Sequence, residues 1–265
     1  RFLKSIFCIS NHQTKGIIMK QWLKWVTVAA ALALTACGGS KPAEDQAAQG
    51  TQPAAEKTYK VGVNAAFAPF ESVDSSGKMQ GFDIELAQAV ADAAGIKVEM
   101  VNTPWEGIFA GLDNGDQDLL VSAITITGER KASMDFTEPY FEATQLVVLP
   151  KGKTLDSTDA LRNMKVSVLT GSTGDTVAQK LMGATSTNIK RFETLPLALK
   201  ELENGGVEAC IGDNGVVANY VANNSGTEFT VIDNLEFDKE YYGMAVRKGN
   251  AELLEKLNGG IRQIR

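Results

Sequence analysis

The chain has 265 residues, 44% of them hydrophobic and 22% charged, which is the composition of a globular protein with one large domain or two small ones. Its net charge of -6 leaves no basic surface to hold phosphates and argues against nucleic acid as the main partner. The single histidine, His12, lies near the N-terminus, so the expected folded part lacks the commonest general base and zinc ligand, and we expect no catalytic residue, metal or cofactor.

The chain begins with a targeting segment. Basic residues lead into the apolar stretch 25–36, which is about a dozen residues long and shorter than the ~20 residues that span a bilayer as a helix. The stretch ends in Leu34-Thr35-Ala36-Cys37, which resembles the lipobox of bacterial lipoproteins. This resemblance implies cleavage before Cys37 and lipidation of that cysteine. Ordinary secretory cleavage after Ala36 is the alternative.

Met19 is the expected start of this signal peptide, which then covers residues 19–36. Residues 1–18 have no such organisation, and we expect them to lie outside the mature protein. The segment 37–57 is rich in Gly, Ser, Pro, Ala, Gln and Glu, which is typical of a flexible tether. We therefore expect a protein of the cell envelope, held at the periplasmic or extracytoplasmic face of a membrane by lipidated Cys37.

Strands and helices alternate in the first half of the remaining chain. Apolar residues recur at strand or helix spacing, and Gly95 ends the first helix. The predicted elements are strand 59–63, helix 82–94, strand 96–100, a helix opened by Pro104, and strand 119–122.

A second series of alternating elements follows. It comprises strand 166–169, helix 175–182, strand 189–192, helix 196–204 and strand 207–211. Both series have the order β-α-β-α-β, which predicts parallel strands with helices on both faces of each sheet. Cys210, the one cysteine of the folded part, forms no intramolecular disulfide, and its apolar surroundings favour a buried thiol.

The two series share a connection in which a helix ends at Asn-Gly and the chain enters an apolar strand. The turns are Asn114-Gly115 and Asn204-Gly205. We interpret the pair as an architectural repeat, with two independent uses of a common turn as the alternative. Ligands of open α/β sheets bind beyond the carboxyl ends of the strands, so the residues that follow the two last strands predict a cleft between two lobes.

Three segments are expected around that cleft. They are 64–70 after the first strand, 122–130 after strand 119–122, and the small-residue turn Thr170-Gly171-Ser172-Thr173-Gly174 at the start of a helix. The last presents backbone N–H groups at a helix N-terminus, which favours an anion or a carboxylate.

These segments, with Gly81-Phe82-Asp83-Ile84-Glu85-Leu86-Ala87 and Asp135-Phe136-Thr137-Glu138-Pro139-Tyr140, resemble the polar amino acid family of periplasmic substrate-binding proteins that serve ABC importers. The resemblance runs from Tyr59 to the end of the chain. It implies an α/β, two-lobed type II periplasmic binding protein fold, in which each lobe is a mostly parallel sheet with flanking helices and two strands form a hinge.

The resemblance also implies the ligand contacts. Arg130 is similar in position to the arginine that holds the ligand's α-carboxylate, and its planar guanidinium matches two carboxylate oxygens. Asp213 corresponds to the acid that takes the α-ammonium. The other implied ligand-binding residues are an aromatic pair around the ligand side chain and a set of hydrogen-bonding residues: Phe67, Trp105, Asn64, Ser122, Ala123, Thr125, Thr170, Ser172 and Thr173.

Each key residue has a structural alternative. Arg130 is alternatively a solvated residue at a helix start, Asp213 a cap of the helix that begins near Asn214, and Phe67 and Trp105 are core aromatics. Three further acids, Glu71, Asp83 and Glu85, are expected to be local caps or surface charges rather than ligand contacts.

The ligand is expected to be a free polar L-amino acid of the glutamine or arginine class. Relatives that bind cationic or amide side chains often carry Asp where this chain has Asn64, whose uncharged amide weakens the case for an ion-paired lysine or histidinium. The aromatic pair keeps arginine as a candidate through cation-π contact.

The resemblance implies a monomer with lobe 1 at 58–141 plus 242–265, lobe 2 at 145–237, and a hinge at 142–144 and 238–241. The helical pattern that begins near Ala251 still runs at Arg265, so we expect part of lobe 1 to lie beyond it. The implied partners are an ABC permease and its ATPase, with the membrane reached through the lipid anchor. The rivals are a periplasmic cyclohexadienyl or arogenate dehydratase and a ligand-sensing domain of the same fold.

Overall fold

Two five-stranded sheets with helices packed on them make up the described part of the chain. The computed structural model describes residues 57–224, 226, 228–232, 235 and 237–265. The expected signal peptide, Cys37 and nearly all of the tether lie outside these residues. No helix within the described ranges is long and apolar enough to cross a membrane.

The first sheet has the strand order β5-β1-β6-β15-β7. Its strands are β1 (Thr58–Val63), β5 (Lys97–Asn102), β6 (Leu119–Leu120), β7 (Met134–Phe136) and β15 (Ala245–Arg247). Because β15 is antiparallel to both of its neighbours, four of the five strands run in one direction. The helices that accompany this sheet in the chain are α1 (Phe82–Ala94), α2 (Trp105–Asn114), α3 (Gly128–Ser133) and α7 (Ala251–Ile264).

The second sheet repeats this arrangement, with the order β11-β10-β12-β9-β13. Its strands are β9 (Gln145–Pro150), β10 (Val166–Leu169), β11 (Ile189–Phe192), β12 (Ala209–Asp213) and β13 (Phe229–Ile232). Here β9 is the single antiparallel strand. A 3₁₀ helix (Thr158–Asn163), α4 (Thr173–Met182), α5 (Leu195–Glu203) and α6 (Asn214–Asn223) accompany it. The mostly parallel two-lobed α/β fold predicted from the sequence is confirmed.

The turns that end the helices position the strands. Gly115 after α2 has φ 87° and Gly205 after α5 has φ 76°, a backbone conformation that glycine adopts without strain. Each turn leads into the central strand of its sheet, β6 or β12. The two sheets therefore share the same β-α-β-α-β unit, which supports the interpretation of a repeat.

Two short antiparallel groups complete the fold. β2 (Ala66–Phe67), β3 (Glu71–Val73) and β4 (Met79–Gln80) form a small sheet before α1. β8 (Phe141–Ala143) pairs with β14 (Glu240–Tyr242) where the chain passes between the two large sheets.

Separate apolar cores support each sheet, and a third cluster lies between them. Val61, Val90 and Ile261 belong to the core of the first sheet, whereas Val168 and Ile211 belong to that of the second. The third cluster includes Phe70, Trp105, Leu195 and the fully buried Tyr242. Cys210 is buried, as predicted.

Two acids depart from the sequence prediction. Glu85 is exposed, as expected for a surface charge. Glu71 and Asp83 are both 0% exposed, so the prediction that they are local caps or surface charges is wrong. Their hydrogen-bond partners, Ser122 and Ala123 after β6 and Tyr140 before β8, lie far along the chain, which the local sequence does not reveal.

Candidate functional site

A small cavity lies where the carboxyl ends of the parallel strands of the two sheets approach each other. It is lined by Asn64, Phe67, Trp105, Ser122, Ala123, Thr125, Arg130, Leu169, Ser172, Thr173 and Asp213. All but Leu169 were predicted from the sequence. Of the predicted set, Thr170 is the member outside this lining.

Arg130 is held in the cavity by the start of α3. The Thr127 hydroxyl caps that helix by accepting from the Arg130 backbone N–H at 3.1 Å. The guanidinium donates through Nη1 to the Thr125 carbonyl at 3.0 Å and lies with its carbon 5.5 Å from the centroid of Trp105. Burial lowers the pKa of Arg130, while the charge of Asp213 opposes this shift, and an arginine remains cationic in any such environment.

Asp213 is buried at the end of β12. It accepts hydrogen bonds from the Tyr242 hydroxyl and from Gln145 Nε2, the latter at 3.2 Å. Its side chain makes no capping hydrogen bond to α6, so the helix-cap alternative does not account for its position. Burial, and next the nearby Glu240, raise the pKa of Asp213 to about 6. The carboxyl is therefore mostly ionised at neutral pH.

The aromatic side chains form apolar walls of the cavity. Phe67 is 8% exposed and Trp105 is 9% exposed, so both are largely buried and both face the cavity. The Trp105 indole N–H donates to the Thr170 carbonyl at 3.0 Å, which joins one lobe to the other. Thr170 reaches the site through its carbonyl, whereas its hydroxyl donates to the Phe192 carbonyl.

The segment after β6 supplies the polar floor. The Ser122 hydroxyl accepts from the Asn64 backbone N–H at 3.0 Å, and the Asn64 side-chain amide donates to the Thr103 carbonyl at 3.2 Å. Ala123 has φ 45°, in the left-handed region that alanine rarely occupies. The backbone here is thus held in an unusual conformation at the cavity.

The opposite wall is the turn that starts α4. Ser172 caps this helix, and its hydroxyl accepts from the Asp175 N–H at 3.1 Å. Asp175 in turn accepts from the Gly171 N–H at 3.1 Å and pairs with Arg191 at 2.9 Å. These bonds fix the turn and point the helix N-terminus toward the cavity.

Two polar residues beside the site were missed by sequence reasoning. Glu240, in β14, accepts from the Thr125 hydroxyl at 2.8 Å and from the Thr173 hydroxyl at 2.7 Å. Gln145 Nε2 donates to Glu240 at 3.1 Å and to Thr173 at 3.1 Å. Nothing in the local sequence around Glu240 distinguishes it from its charged neighbours, and its role depends on where the chain crosses back between the sheets.

Hydrogen bonds join the two lobes across the cavity. Trp105 reaches Thr170, Arg130 Nη2 reaches the Gly171 carbonyl at 3.4 Å, and Glu240 bridges threonines of both lobes. The lobes are therefore in contact around a cavity with an arginine and a buried carboxylate in its lining. Among the described residues, no cluster of three or more His, Cys, Asp or Glu side chains is arranged to hold a metal ion.

Residues 59–265 match the family described as bacterial extracellular solute-binding proteins, family 3. A probable histidine-binding protein from Neisseria gonorrhoeae is 46% identical over 248 residues, which are 93% of this chain and 91% of that protein.

Two solved structures are also similar. The arginine-, lysine-, histidine-binding protein ArtJ from Geobacillus stearothermophilus is 42% identical with a TM-score of 0.75, over 78% of this chain and 89% of that one. The ancestral amino acid-binding protein AncCDT-1, a precursor of cyclohexadienyl dehydratase, is 36% identical with a TM-score of 0.70, over 78% of this chain and 89% of that one.

Proposed function

Because the chain belongs to family 3 of the bacterial extracellular solute-binding proteins, we propose that it captures a free polar L-amino acid in the cavity and delivers it to an ABC permease and its ATPase. The observation that carries this proposal is the pair of opposite charges in the cavity lining, Arg130 and Asp213. An amino acid carries the complementary pair on its α-carbon. Few other small solutes match both charges at once.

The two charges come from different lobes, which gives the site a mechanical consequence. Arg130 lies in α3, between β6 and β7 of the first sheet, and Asp213 ends the central strand of the second. A ligand that bonds to both stabilises the closed arrangement over an open one. We propose that the crossings at 142–144 and 238–241, which include parts of β8 and β14, are the hinge, and that lobes 58–141 plus 242–265 and 145–237 rotate about it.

The side-chain end of the cavity favours a polar donor. One N–H of the Asn64 side-chain amide is used on the Thr103 carbonyl, so the amide oxygen can accept from a ligand N–H while one N–H is left to donate. A guanidinium or a carboxamide supplies such a donor, and flat aromatic walls suit a guanidinium in particular. We propose arginine and glutamine as the preferred ligands, with histidine and lysine as competitors suggested by the named relatives.

We propose that lipidated Cys37 and the tether 37–57 hold the protein at the extracytoplasmic face of the membrane, as a monomer. The support is the order of basic residues, apolar stretch, lipobox-like sequence and polar segment. A tether of about twenty residues has a reach of roughly 25 Å, which keeps the binding domain close to its permease.

Calorimetric titration of the protein, after removal of any co-purified ligand by partial unfolding and refolding, tests the ligand proposal. We expect arginine or glutamine to bind in the micromolar range or tighter, and acidic and aliphatic amino acids to bind at least about a hundredfold more weakly. A panel in which no free amino acid binds would contradict the proposal.

We further propose that the protein is a binding protein and not an enzyme. The support is the absence of histidine from residues 57–265 and the names of the relatives, which are binding proteins. The similarity to a dehydratase precursor provides the second candidate function. Incubation with prephenate and arogenate, followed by detection of the aromatic product, separates the two. Turnover above the uncatalysed rate would favour the enzyme.

A further inference from the structure

Two fully buried carboxyl groups lie directly behind the cavity lining. Glu71, in β3, and Asp83, in the first turn of α1, are each 0% exposed. The Ser122 hydroxyl donates to Glu71 Oε1 at 2.7 Å, and the Ala123 N–H donates to Asp83 Oδ2 at 2.6 Å. Two consecutive residues of the cavity floor are therefore held by two acids that do not line the cavity.

The two carboxyls also interact with each other. Their second oxygens, Glu71 Oε2 and Asp83 Oδ1, are buried and have no hydrogen-bond partner among the described residues. Two adjacent buried carboxylates strongly disfavour double ionisation. Burial, and next the neighbouring Asp83, raise the pKa of Glu71 well above its ordinary value, while burial raises the pKa of Asp83 to about 6. Asp83 Oδ2 accepts from both the Ala123 N–H and the Tyr140 hydroxyl, so the hydrogen bonds favour Asp83 as the ionised member and Glu71 as the protonated one.

We propose that Glu71 and Asp83 share one proton, donated by Glu71 Oε2 to Asp83 Oδ1, and that this singly charged pair positions the Ser122–Ala123 floor of the binding site. Its positioning role rests on the proposed function, whereas the shared proton does not. Both residues are positioning residues, because neither lines the cavity.

The pair fixes both the conformation and the hydrogen-bonding character of the floor. Asp83 holds the N–H of Ala123 in its left-handed conformation, which alanine disfavours without such support. Ser122 gives its proton to Glu71 and accepts from the Asn64 N–H, so it faces the cavity only as an acceptor. An acceptor in this position suits the ammonium group of an amino acid and not its carboxylate.

The surroundings of the pair do not favour a second negative charge. The Tyr140 hydroxyl donates to Asp83 Oδ2 at 2.8 Å, and Tyr140 directly precedes β8. Of the other titratable groups that face the pair, Asp213 raises the pKa of Glu71, while Tyr242, whose pKa is itself raised, remains a neutral phenol. The partners of both carboxyls are hydroxyl and amide groups, which satisfy one buried charge but not two.

A double-mutant cycle with Glu71→Gln and Asp83→Asn distinguishes a shared proton from two independent acids. In Glu71→Gln the amide N–H₂ replaces the shared proton, and in Asp83→Asn the amide donates in the opposite direction to an ionised Glu71. Each single variant keeps one negative charge and a hydrogen bond between the two side chains, and adds one amide N–H. In the double variant two N–H₂ groups face each other. If the glutamine amide rotates to avoid this, its N–H₂ faces the Ser122 hydroxyl, which must then accept a hydrogen bond where it donated one before.

We expect each single variant to unfold within about 2 °C of the wild-type midpoint. The midpoint of the double variant should lie about 5–10 °C below the value obtained by adding the two single shifts to the wild-type midpoint. The ligand-free protein serves for this measurement, so its result does not depend on the identity of the ligand. The fold-loss of ligand affinity in the double variant should exceed the product of the two single fold-losses by at least about tenfold. Glu85→Gln, an exposed acid on the same helix, is the matched control and should behave as wild type.

A pH profile provides a readout that a merely structural role would not change. Because the folded-state pKa of Glu71 is raised, its contribution to stability is lost as pH rises through that value. As pH rises from the ordinary carboxyl range toward the raised pKa of Glu71, the wild-type unfolding midpoint should therefore fall more steeply than that of either single variant, which lacks the shared proton. Single effects that add up to the double effect, or equal pH profiles in wild type and single variants, would overturn the proposal.

Discussion

Replacing Arg130 with alanine should remove most of the affinity for the amino acid. The guanidinium is half-buried in the cavity lining, where a ligand carboxylate has little access to water. Removing one member of a desolvated charge pair costs about 3 kcal/mol or more, which corresponds to about a hundredfold weaker binding or worse. The bond from Arg130 to Gly171, at 3.4 Å, is long and adds little to this loss.

Arg130→Lys separates the charge from the geometry. Lysine keeps the positive charge but not the paired, planar donors, so we expect an intermediate loss of about tenfold or more. Isothermal titration at neutral pH with the tightest-binding amino acid measures both variants. Arg162→Ala is the matched control, because Arg162 is 53% exposed and pairs with exposed Asp159 in the 3₁₀ helix. Wild-type affinity in Arg130→Ala would refute the assignment of the carboxylate site.

Three further outcomes are expected. Since the pKa of Asp213 is raised to about 6 and only its ionised form attracts an ammonium group, affinity for the amino acid should be about tenfold weaker at pH 5 than at pH 7.5. Asp213→Asn should bind with the same affinity at the two pH values, and a pH dependence like that of the wild type would implicate another group. Gly81→Ala should destabilise the protein by about 3 kcal/mol or more in urea unfolding, because Gly81 has φ 126° and a Cβ would lie 2.3 Å from the Phe70 carbonyl oxygen. The control Gly128→Ala, whose Cβ would meet nothing within 4 Å, should change the stability little, and equal stabilities of the two variants would contradict the geometry. Burial raises the pKa of Cys210 to about 12, so peptide mapping should find it alkylated by iodoacetamide in denaturant but not in the native protein; rapid native labelling would contradict its burial.

The central strands and the residues at their ends were predictable from the sequence. Strand 166–169 and helix 82–94 have the predicted bounds, because their apolar spacing and glycine stops are local signals. Asp213 lines the cavity, as the pattern of strand ends in two β-α-β-α-β units implies, and Arg130 lines it, as the family resemblance implies. Their contact with a ligand remains a prediction.

The residues that support the site were not predictable in this way. Glu240 meets Thr125 and Thr173 only because β14 returns between the lobes, and no periodic pattern marks that crossing. Glu71 and Asp83 resemble a turn acid and a first-turn helix acid in the sequence. Both are buried against residues far along the chain, Ser122, Ala123 and Tyr140, which is a tertiary feature.

Recognition of the paired charges is tested by a calorimetric comparison of the tightest-binding amino acid with its α-carboxamide on the wild-type protein. The two compounds share the side chain and the α-ammonium and differ only in the group assigned to Arg130. If the cavity recognises the paired charges of a free amino acid, the carboxamide should bind at least about a hundredfold more weakly. Equal affinity for the two compounds would contradict this mode of recognition.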